Sequence, residues 1–266
     1  MRGKTWTLPY VLLFGALLVG SLLMFVPFLW MVLTSFKSNA EILTASHHLR
    51  LQDPTLDGDR NGLLEMQILR WFINSLATSA IITVFAVFSS ALAGYVFAKF
   101  RFRGKNFLFL TMLATMMVPF QVVMIPSYII ISKLGLINDL TAIVLPYLVS
   151  VFGIFLARQF IEGVPVDLIE AARIDGASEF RTFWSMIIPQ IKPALSALSI
   201  FTFMAAWNNY LWPLIVLNDE EKMTIPLAIV FFNGQNVVNY NVVMSAAVLI
   251  MIPVVVVFLI FQKQFI

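Results

Sequence analysis

The chain has 266 residues, of which 60% are hydrophobic and only 12% charged, with a formal net charge of +3. A soluble domain of this size needs more polar surface than this composition supplies, so we expect much of the chain to be surrounded by lipid. The absence of cysteine excludes disulfides and thiolate metal sites, and so small a net charge does not indicate nucleic-acid binding. The composition therefore predicts an all-α membrane protein.

Six apolar segments are long enough to cross a bilayer, which takes about 20 residues each. The first is too long for a signal peptide and has no small-residue cleavage site, so we expect it to remain as an uncleaved anchor. The chain then divides into an anchor over residues 1–36, an extracytoplasmic loop over 37–70 and a core of five spans over 71–266. The six spans are predicted at residues 8–36, 71–98, 107–132, 140–160, 194–217 and 242–261.

Positive charge is distributed unequally between the two sets of loops. Eleven of the 17 Lys and Arg residues lie on one side, whereas nine of the 14 Asp and Glu residues lie on the other. By the positive-inside rule, the side with more cations faces the cytoplasm. This predicts that both termini and the loop 163–190 are cytoplasmic. The eleven cations are Arg2, Lys4, Lys99, Arg101, Arg103, Lys105, Arg158, Arg173, Arg181, Lys192 and Lys263.

Prolines occur in five of the six predicted spans. Each removes a backbone hydrogen bond and kinks the helix, and in lipid the freed carbonyl needs another donor. This pattern favours a bundle that encloses a cavity over a purely structural arrangement. The prolines are Pro27, Pro119, Pro126, Pro146, Pro213 and Pro253.

The outer loops contain two further features. His47 and His48 are adjacent, but adjacent side chains diverge and no third ligand has suitable spacing, so a solvated pair is favoured over a metal site. Residues 224–232 are apolar but too few to span, which predicts an interfacial or re-entrant helix on the outer face. We expect a polar, flexible tip to close it at residues 233–236.

The loop 163–190 is predicted to form two short helices. Pro165 suits the first turn of the first helix, Gly176 can adopt the positive φ that ends it, and Ser178 can cap the second. Pro189 is expected to stop the second helix. An apolar stripe on this helix would lie against the bases of the transmembrane helices. The stripe consists of Phe180, Phe183, Trp184, Ile187 and Ile188.

The chemistry of this loop allows more than one interpretation. Glu170 and Asp175 could be ordinary solvated charges on an amphipathic connector. The loop offers these carboxylates no nucleophile, histidine or metal-ligand partner, so acid–base catalysis is not indicated. The small side chains of Ala171 and Ala172 would allow a partner to approach closely, which favours a docking element over an idle connector.

A known motif matches this loop. The loop resembles the EAA loop of binding-protein-dependent ABC-importer permeases, whose pattern is EAA---G---------I-LP. Ile188 stands where this pattern usually has Leu. Residues 74–75, 99–105, 164–165 and 191–195, and most strongly 207–214, resemble the carbohydrate-uptake branch related to maltose permeases, and the similarity extends over about residues 71–265. The motif positions matched are Glu170, Ala171, Ala172, Gly176, Ile187 and Pro189.

The resemblance implies a six-span type I importer permease that works by alternating access in a bacterial or archaeal cytoplasmic membrane. An extracytoplasmic sugar-binding protein would deliver the substrate to this chain and a second, homologous permease. Two cytoplasmic ATPases would bind ATP and Mg²⁺, so this chain would hold no cofactor and no catalytic site. The coupling helix would dock on the ATPase through Glu170, Ala171, Ala172, Ile174, Asp175, Gly176, Ala177 and Phe180.

The resemblance also implies two outward-facing or intramembrane sites. The tip at Asn233, Gly234, Gln235 and Asn236 occupies the place of the loop that enters the binding protein in maltose-type relatives. Sugar passage requires amide hydrogen bonds and aromatic stacking, and polar residues inside a membrane are site candidates because they are costly there. The alternative role of each is to hold helices together. The candidates are Gln121, Tyr128, Trp207, Asn208, Asn209 and Tyr210.

Other substrates and protein classes remain possible at this stage. An ABC permease for glycerol-3-phosphate, its diesters, a polyol or a polyamine is the first alternative, although no basic residue lies mid-span to meet a phosphate. An ion-coupled secondary carrier would require mid-membrane carboxylates or inverted repeats with interrupted helices, and the sequence indicates neither. An intramembrane enzyme lacks a nucleophile–base pair or a metal cluster.

Overall fold

The computed structural model describes residues 8–44, 51, 54–55, 67–235 and 240–262, and most of these residues are helical. His47 and His48 lie outside the described residues. We number the helices α1 Leu8–Ser35, α2 Asn39–Thr44, α3 Ile68–Lys99, α4 Lys105–Thr115, α5 Phe120–Lys133, α6 Leu140–Val144, α7 Val151–Glu162, α8 Val166–Ile174, α9 Glu179–Gln190, α10 Lys192–Trp207, α11 Leu211–Val216, α12 Ile225–Gln235 and α13 Tyr240–Phe261.

The described helices are numerous and apolar enough for six membrane spans. Four pass on length and hydropathy alone, namely α1, α3, α13 and the segment Leu140–Glu162 that contains α6 and α7. Two bent pairs pass when each is taken together: α4 with α5, at 98°, and α9 with α10, at 82°. The count is therefore four to six, which includes the six spans predicted from sequence. Of the second pair, only α10 lies in the predicted fifth span, whereas α9 belongs to the loop 163–190.

The third span, predicted over residues 107–132 with a proline kink, is broken at Pro119. Helix α4 ends at Thr115 and α5 begins at Phe120. Pro119, between them, has φ −59° and ψ 141°, which is an extended conformation. Proline lacks the N–H that a continuous helix would use, and it disfavours helical geometry in the residue before it.

The fifth predicted span, residues 194–217, is also interrupted. Helix α10 ends at Trp207, and α11 begins at Leu211. The Asn208 side chain donates to the carbonyl of Met204 at 2.9 Å, and the Asn209 side-chain oxygen accepts from the backbone N–H of Trp212 at 3.5 Å. Asparagine side chains compete with the backbone for its own hydrogen-bonding groups, which explains why the helix is interrupted here.

Helices α3 and α7 approach each other closely because small residues lie at their contact. A Cβ atom placed on Gly94 of α3 would lie 2.7 Å from Ala157 Cβ and 2.9 Å from the backbone nitrogen of Arg158. One turn earlier in α3, the Ser90 hydroxyl donates to the carbonyl of Ser150 at 3.3 Å. Small residues allow such close packing of membrane helices, where van der Waals contact drives association.

The chain forms two compact units, Met1–Ile68 with Phe232–Met251 and Leu69–Phe231 with Ile252–Ile266. Within the first unit, the Asn241 amide donates to the carbonyls of Ser35, at 3.4 Å, and Lys37. Lys37 and Glu41 are both buried and their charges lie 3.9 Å apart. The bonds from Asn241 tie the start of α13 to the end of α1, and the ion pair joins the end of α1 to α2. The division predicted from sequence at residues 36 and 70 stays a prediction.

In the second unit, residues 218–224 form a polar connection between the end of α11 and α12. The Asn138 side-chain oxygen accepts from the backbone N–H groups of Asn218 and Asp219 at 3.0 and 2.9 Å. Asn138 holds a positive φ of 61°, a conformation that asparagine adopts more readily than most residues. From α3, the Trp71 indole donates to the carbonyl of Glu220 at 2.6 Å.

Helix α12 confirms that a short helix follows this connection, but it differs from the prediction at its end. At its start, Ile225 and Leu227 are buried, so of the two predicted arrangements this packing agrees better with a re-entrant helix than with an interfacial one. The expected flexible tip at residues 233–235 is helical, as the last turn of α12. A single Gly in a helix costs only about 1 kcal/mol, so Gly234 does not prevent this turn. Asn236 lies beyond the described part of this segment.

Candidate coupling loop and substrate cavity

The loop between α7 and α10 contains two helices, as the sequence predicts. Helix α8 begins directly after Pro165, and Asp167 lies in its first turn, where the helix dipole favours a negative charge. At its end, Gly176 has φ +77° and its N–H donates to Arg173 O at 3.0 Å, while Ala177 N–H donates to Ala172 O at 2.9 Å. This pair of bonds is the Schellman arrangement that ends helices at glycine.

Helix α9 begins as expected, but it ends differently. The Ser178 hydroxyl accepts from the backbone N–H of Arg181 at 3.3 Å and caps the helix. A π turn over Phe183–Ile187 follows, in which Ile188 N–H donates to Phe183 O. The helix ends at Gln190, one residue after the predicted stop at Pro189, and breaks at Ile191. The wider turn shifts the hydrogen-bond register just before the proline, which has no N–H to donate.

Only one edge of the predicted apolar stripe on α9 packs inward. Phe183 and Ile187 are fully buried, in a cluster with Tyr95, Ile161 and Ile169. The other edge of the stripe is open, since Phe180 and Trp184 are exposed and Ile188 is only half-buried. The buried edge fixes the loop against the ends of α3 and α7, as the sequence predicts, and the open edge leaves aromatic surface uncovered.

A carboxylate links three of these helices. Glu179 Oε1 accepts from Arg173 Nε of α8 at 2.7 Å, and Glu179 Oε2 accepts from the Tyr95 hydroxyl of α3 at 2.8 Å. The hydrogen bond from Arg173, and then that from Tyr95, hold the pKa of Glu179 below its usual range. The same bond raises the pKa of Arg173. The carboxylate therefore stays ionised while it joins the loop to α3.

The end of α8 presents an exposed surface. The Ile174 side chain is 86% exposed and that of Phe180 is 58% exposed. Glu170, Ala171, Asp175 and Gly176 are also exposed, and Ala177 is half-buried. Ala172 differs from the expectation for a docking residue, because it is buried within the chain. Its small side chain allows close internal packing, and a partner could not reach it without rearrangement.

A cavity of about 300 Å³ lies among α3, α7, α10 and the segments that precede α7 and α11. Of the six pathway candidates from the sequence, Asn209 lines it. The wall carries hydroxyl and amide groups but no charged side chain. The lining residues are Ile82, Tyr147, Val149, Ser150, Phe152, Leu198, Phe201, Thr202, Ala205, Ala206 and Asn209.

The other pathway candidates lie elsewhere. Trp207 is buried, and its ring packs against those of Phe72 and Phe203 at centroid distances of 5.6 and 5.7 Å. Gln121 and Tyr128 are exposed on α5, and neither lines the cavity.

Of the two candidates that flank Asn209, Asn208 is exposed and Tyr210 half-buried, and neither lines the cavity. Sequence reasoning missed Tyr147, Ser150 and Thr202 in the cavity wall. Pro146 was a usable signal for the first two, because it marks the irregular stretch before α7.

One protein family and two known transport proteins are similar to this chain. The family model for the binding-protein-dependent transport system inner membrane component matches residues 90–266. The arabinooligosaccharides transport system permease protein AraQ of Bacillus subtilis is 36% identical, with 92% of this chain and 89% of that protein covered. The sn-glycerol-3-phosphate transport system permease protein UgpE of Pectobacterium atrosepticum is 34% identical, over 87% of this chain and 83% of its own.

A solved structure agrees over the full length. A chain from a bacterial ABC transporter involved in the import of the acidic polysaccharide alginate superposes with a TM-score of 0.80 at 25% identity, covering 100% of this chain and 99% of that one. The fold and the loop thus define a permease subunit of an ABC transporter. The chain belongs to the family of binding-protein-dependent transport system inner membrane components, whose members are not themselves catalytic.

Proposed function

We propose that this chain is a transmembrane subunit of an ATP-driven importer of sugars or oligosaccharides. The observation that carries the proposal is the loop 163–190, where exposed Ile174 lies on a helix joined to α3 through Glu179. AraQ and the alginate importer, both similar over nearly the whole chain, are named for carbohydrate transport. A second permease and an extracytoplasmic binding protein complete the proposed assembly.

The proposed orientation places the loop 163–190 and both termini in the cytoplasm. The unequal distribution of Lys and Arg supports it, because eleven of the 17 lie in the loops on that side. Two ATPase subunits, which bind ATP and Mg²⁺, then meet the exposed end of α8. We propose that residues 233–236 face the opposite side of the membrane and contact the binding protein there.

We propose that force enters at α8 and reaches the cavity through packed contacts. Movement of α8 acts on α3 through the bonds from Arg173 and Tyr95 to Glu179, and on α7 through the buried cluster that contains Ile161 and Ile169. Helices α3 and α7 both contribute to the cavity wall, by Ile82 and Phe152. The same two helices therefore touch the docking loop and the proposed substrate pathway.

The cavity favours a neutral, hydroxyl-rich substrate. Tyr147, Ser150, Thr202 and Asn209 supply groups that can exchange hydrogen bonds with sugar hydroxyls. Glycerol-3-phosphate is the second candidate because UgpE is 34% identical. A phosphate would be expected to require a Lys or Arg in the wall, and the described residues that line the cavity include neither.

The docking proposal is tested with Ile174→Asp in the assembled transporter. Burying an isoleucine contributes about 1.5–3 kcal/mol, so its loss should weaken ATPase binding by at least roughly tenfold. Leu134→Asp is the matched control, since Leu134 is exposed on the turn after α5. ATPase co-purification and substrate-stimulated ATP hydrolysis are measured. Wild-type values for Ile174→Asp would show that the docking surface lies elsewhere.

The substrate is tested separately with the cognate binding protein. Uptake into proteoliposomes is measured for neutral oligosaccharides, charged oligosaccharides and glycerol-3-phosphate. We expect neutral oligosaccharides to be transported preferentially. Transport of glycerol-3-phosphate alone would overturn the sugar assignment and leave the docking result unaffected.

A further inference from the structure

The turn between α3 and α4 contains a second pocket, away from both the coupling loop and the cavity. It has a volume of about 340 Å³ and is lined by Arg101, Phe102, Gly104, Lys105, Asn106 and Phe107. Because α3 ends at Lys99 and α4 begins at Lys105, the pocket lies where two membrane-spanning helices reach the polar boundary.

The positive charges at this turn have different structural roles. The Lys105 ammonium donates to the carbonyls of Ala98 and Phe100 at 3.3 and 3.1 Å, so it closes the end of α3. The guanidinium of Arg101 has no carboxylate within 4.0 Å among the described residues. Gly104 is the N-cap residue of α4 and has no side chain that could accept from the N–H groups of the first turn. These N–H groups add to the positive potential at the pocket. The pocket therefore attracts an anion.

Apolar surface continues directly from the pocket along α4. The Phe107 side chain is 72% exposed, and Leu108 and Leu110 are also exposed. At the other edge of the pocket, the ring of Phe102 is exposed, and its centroid lies 6.0 Å from that of the Phe97 ring. A soluble anion would use only the charged part of this surface. A phospholipid would use both parts, with its phosphate beside Arg101 and its acyl chains along α4.

We infer that the pocket binds the headgroup of an anionic phospholipid. The occupant lies in the cytoplasmic leaflet if the proposed orientation holds, and that leaflet carries the anionic lipids that attract basic segments. The site is distinct from a general attraction of cations to the membrane, because Arg101 lines the pocket and Arg103, two residues away in the same turn, does not.

This difference supplies a matched pair of variants. One basic residue near an anionic surface contributes about 1 kcal/mol, which is roughly a fivefold change in affinity. If the lipid binds in the pocket, we expect about a fivefold loss of affinity for Arg101→Gln and less than about a twofold loss for Arg103→Gln. If the attraction is only diffuse, we expect both variants to lose the same affinity. Lys105 is unsuitable for this comparison because its hydrogen bonds hold the end of α3.

The experiment uses the assembled transporter in nanodiscs of phosphatidylcholine with or without phosphatidylglycerol. Native mass spectrometry counts the retained lipid, and a phosphatidylglycerol titration gives its affinity for the wild type and both variants. We expect retention of phosphatidylglycerol and not phosphatidylcholine, with Arg101→Gln alone lowering the affinity. Equal losses in the two variants, or displacement of the lipid by inorganic phosphate, would overturn the proposal. Assembly of each variant is checked by size-exclusion chromatography.

Discussion

Tyr95→Phe should weaken the connection between ATP hydrolysis and transport without dissociating the ATPase. The substitution removes the hydroxyl that donates to Glu179 at 2.8 Å. The phenylalanine ring retains the packing of Tyr95 against Phe100 and Phe183, whose centroids lie at 5.3 and 5.7 Å. Arg173 still pairs with Glu179 at 2.7 Å, so no unpartnered charge remains. The variant therefore tests one hydrogen bond between α3 and the loop.

The size of the effect follows from the exposure of the two partners. A hydrogen bond to a charged group contributes about 1.5–3 kcal/mol when it is shielded from water. The Glu179 side chain is 43% exposed, so water can replace part of the lost bond. We therefore expect the loss of this hydrogen bond to cost about 1 kcal/mol. This corresponds to roughly a fivefold change in the population of the state in which the loop is held to α3.

The assay measures substrate uptake per ATP hydrolysed in proteoliposomes. We expect a lower ratio for Tyr95→Phe, a lower one still for Glu179→Ala, and the wild-type ratio for Tyr10→Phe, whose ring is exposed on α1. A double-mutant cycle with Arg173→Ala should show an interaction energy above about 0.5 kcal/mol, because both residues bond the same carboxylate. A wild-type ratio in Tyr95→Phe and Glu179→Ala would refute the proposed path of force through Glu179.

Two further predictions concern stability and one concerns transport. Gly94→Ala should lower the free energy of unfolding by about 1–3 kcal/mol, because its Cβ would lie 2.7 Å from that of a neighbouring helix; Gly15→Ala, with no atom within 4 Å, is the control in a Tm measurement. Gly176→Asn should retain ATPase-coupled transport better than Gly176→Val, since asparagine tolerates the positive φ of 77°. Hydrogen bonds from Thr141 hold the pKa of Asp139 below its ordinary value, so Asp139→Ala should lower Tm at neutral pH, and this difference should vanish as the pH falls through the lowered native pKa.

The local structure of the coupling loop could be predicted from sequence, because each feature depends on neighbouring residues. Gly176 ends α8 and Ser178 caps α9 through bonds that span a few positions. The partner of Glu179 on α3 could not be predicted in this way. Tyr95 is 84 residues distant in sequence, and an aromatic residue near the end of an apolar helix has many possible roles.

The number of spans could be predicted because length and hydropathy decide it, and Pro119 indicated the kink in the third span. The break in the fifth span, over residues 208–210, contains no proline and could not be predicted. Averaging hydropathy over a whole span hides a break of three or four residues. From sequence, Asn208 and Asn209 are predicted to be polar groups of the fifth span that contact the substrate. In the structure their amides bond to backbone groups instead, and only Asn209 also reaches the cavity.

This interruption changes what the fifth span indicates about mechanism. Non-helical backbone is tolerated at membrane depth only where protein or a water-filled cavity satisfies its polar groups. The break over residues 208–210 meets that condition at the cavity wall, where Asn209 lies. An ion-coupled carrier would also be expected to have interrupted helices, and this chain has them in its third and fifth spans. The interrupted fifth span therefore lines the cavity without identifying an energy source, and the proposed coupling to ATP rests on the loop 163–190.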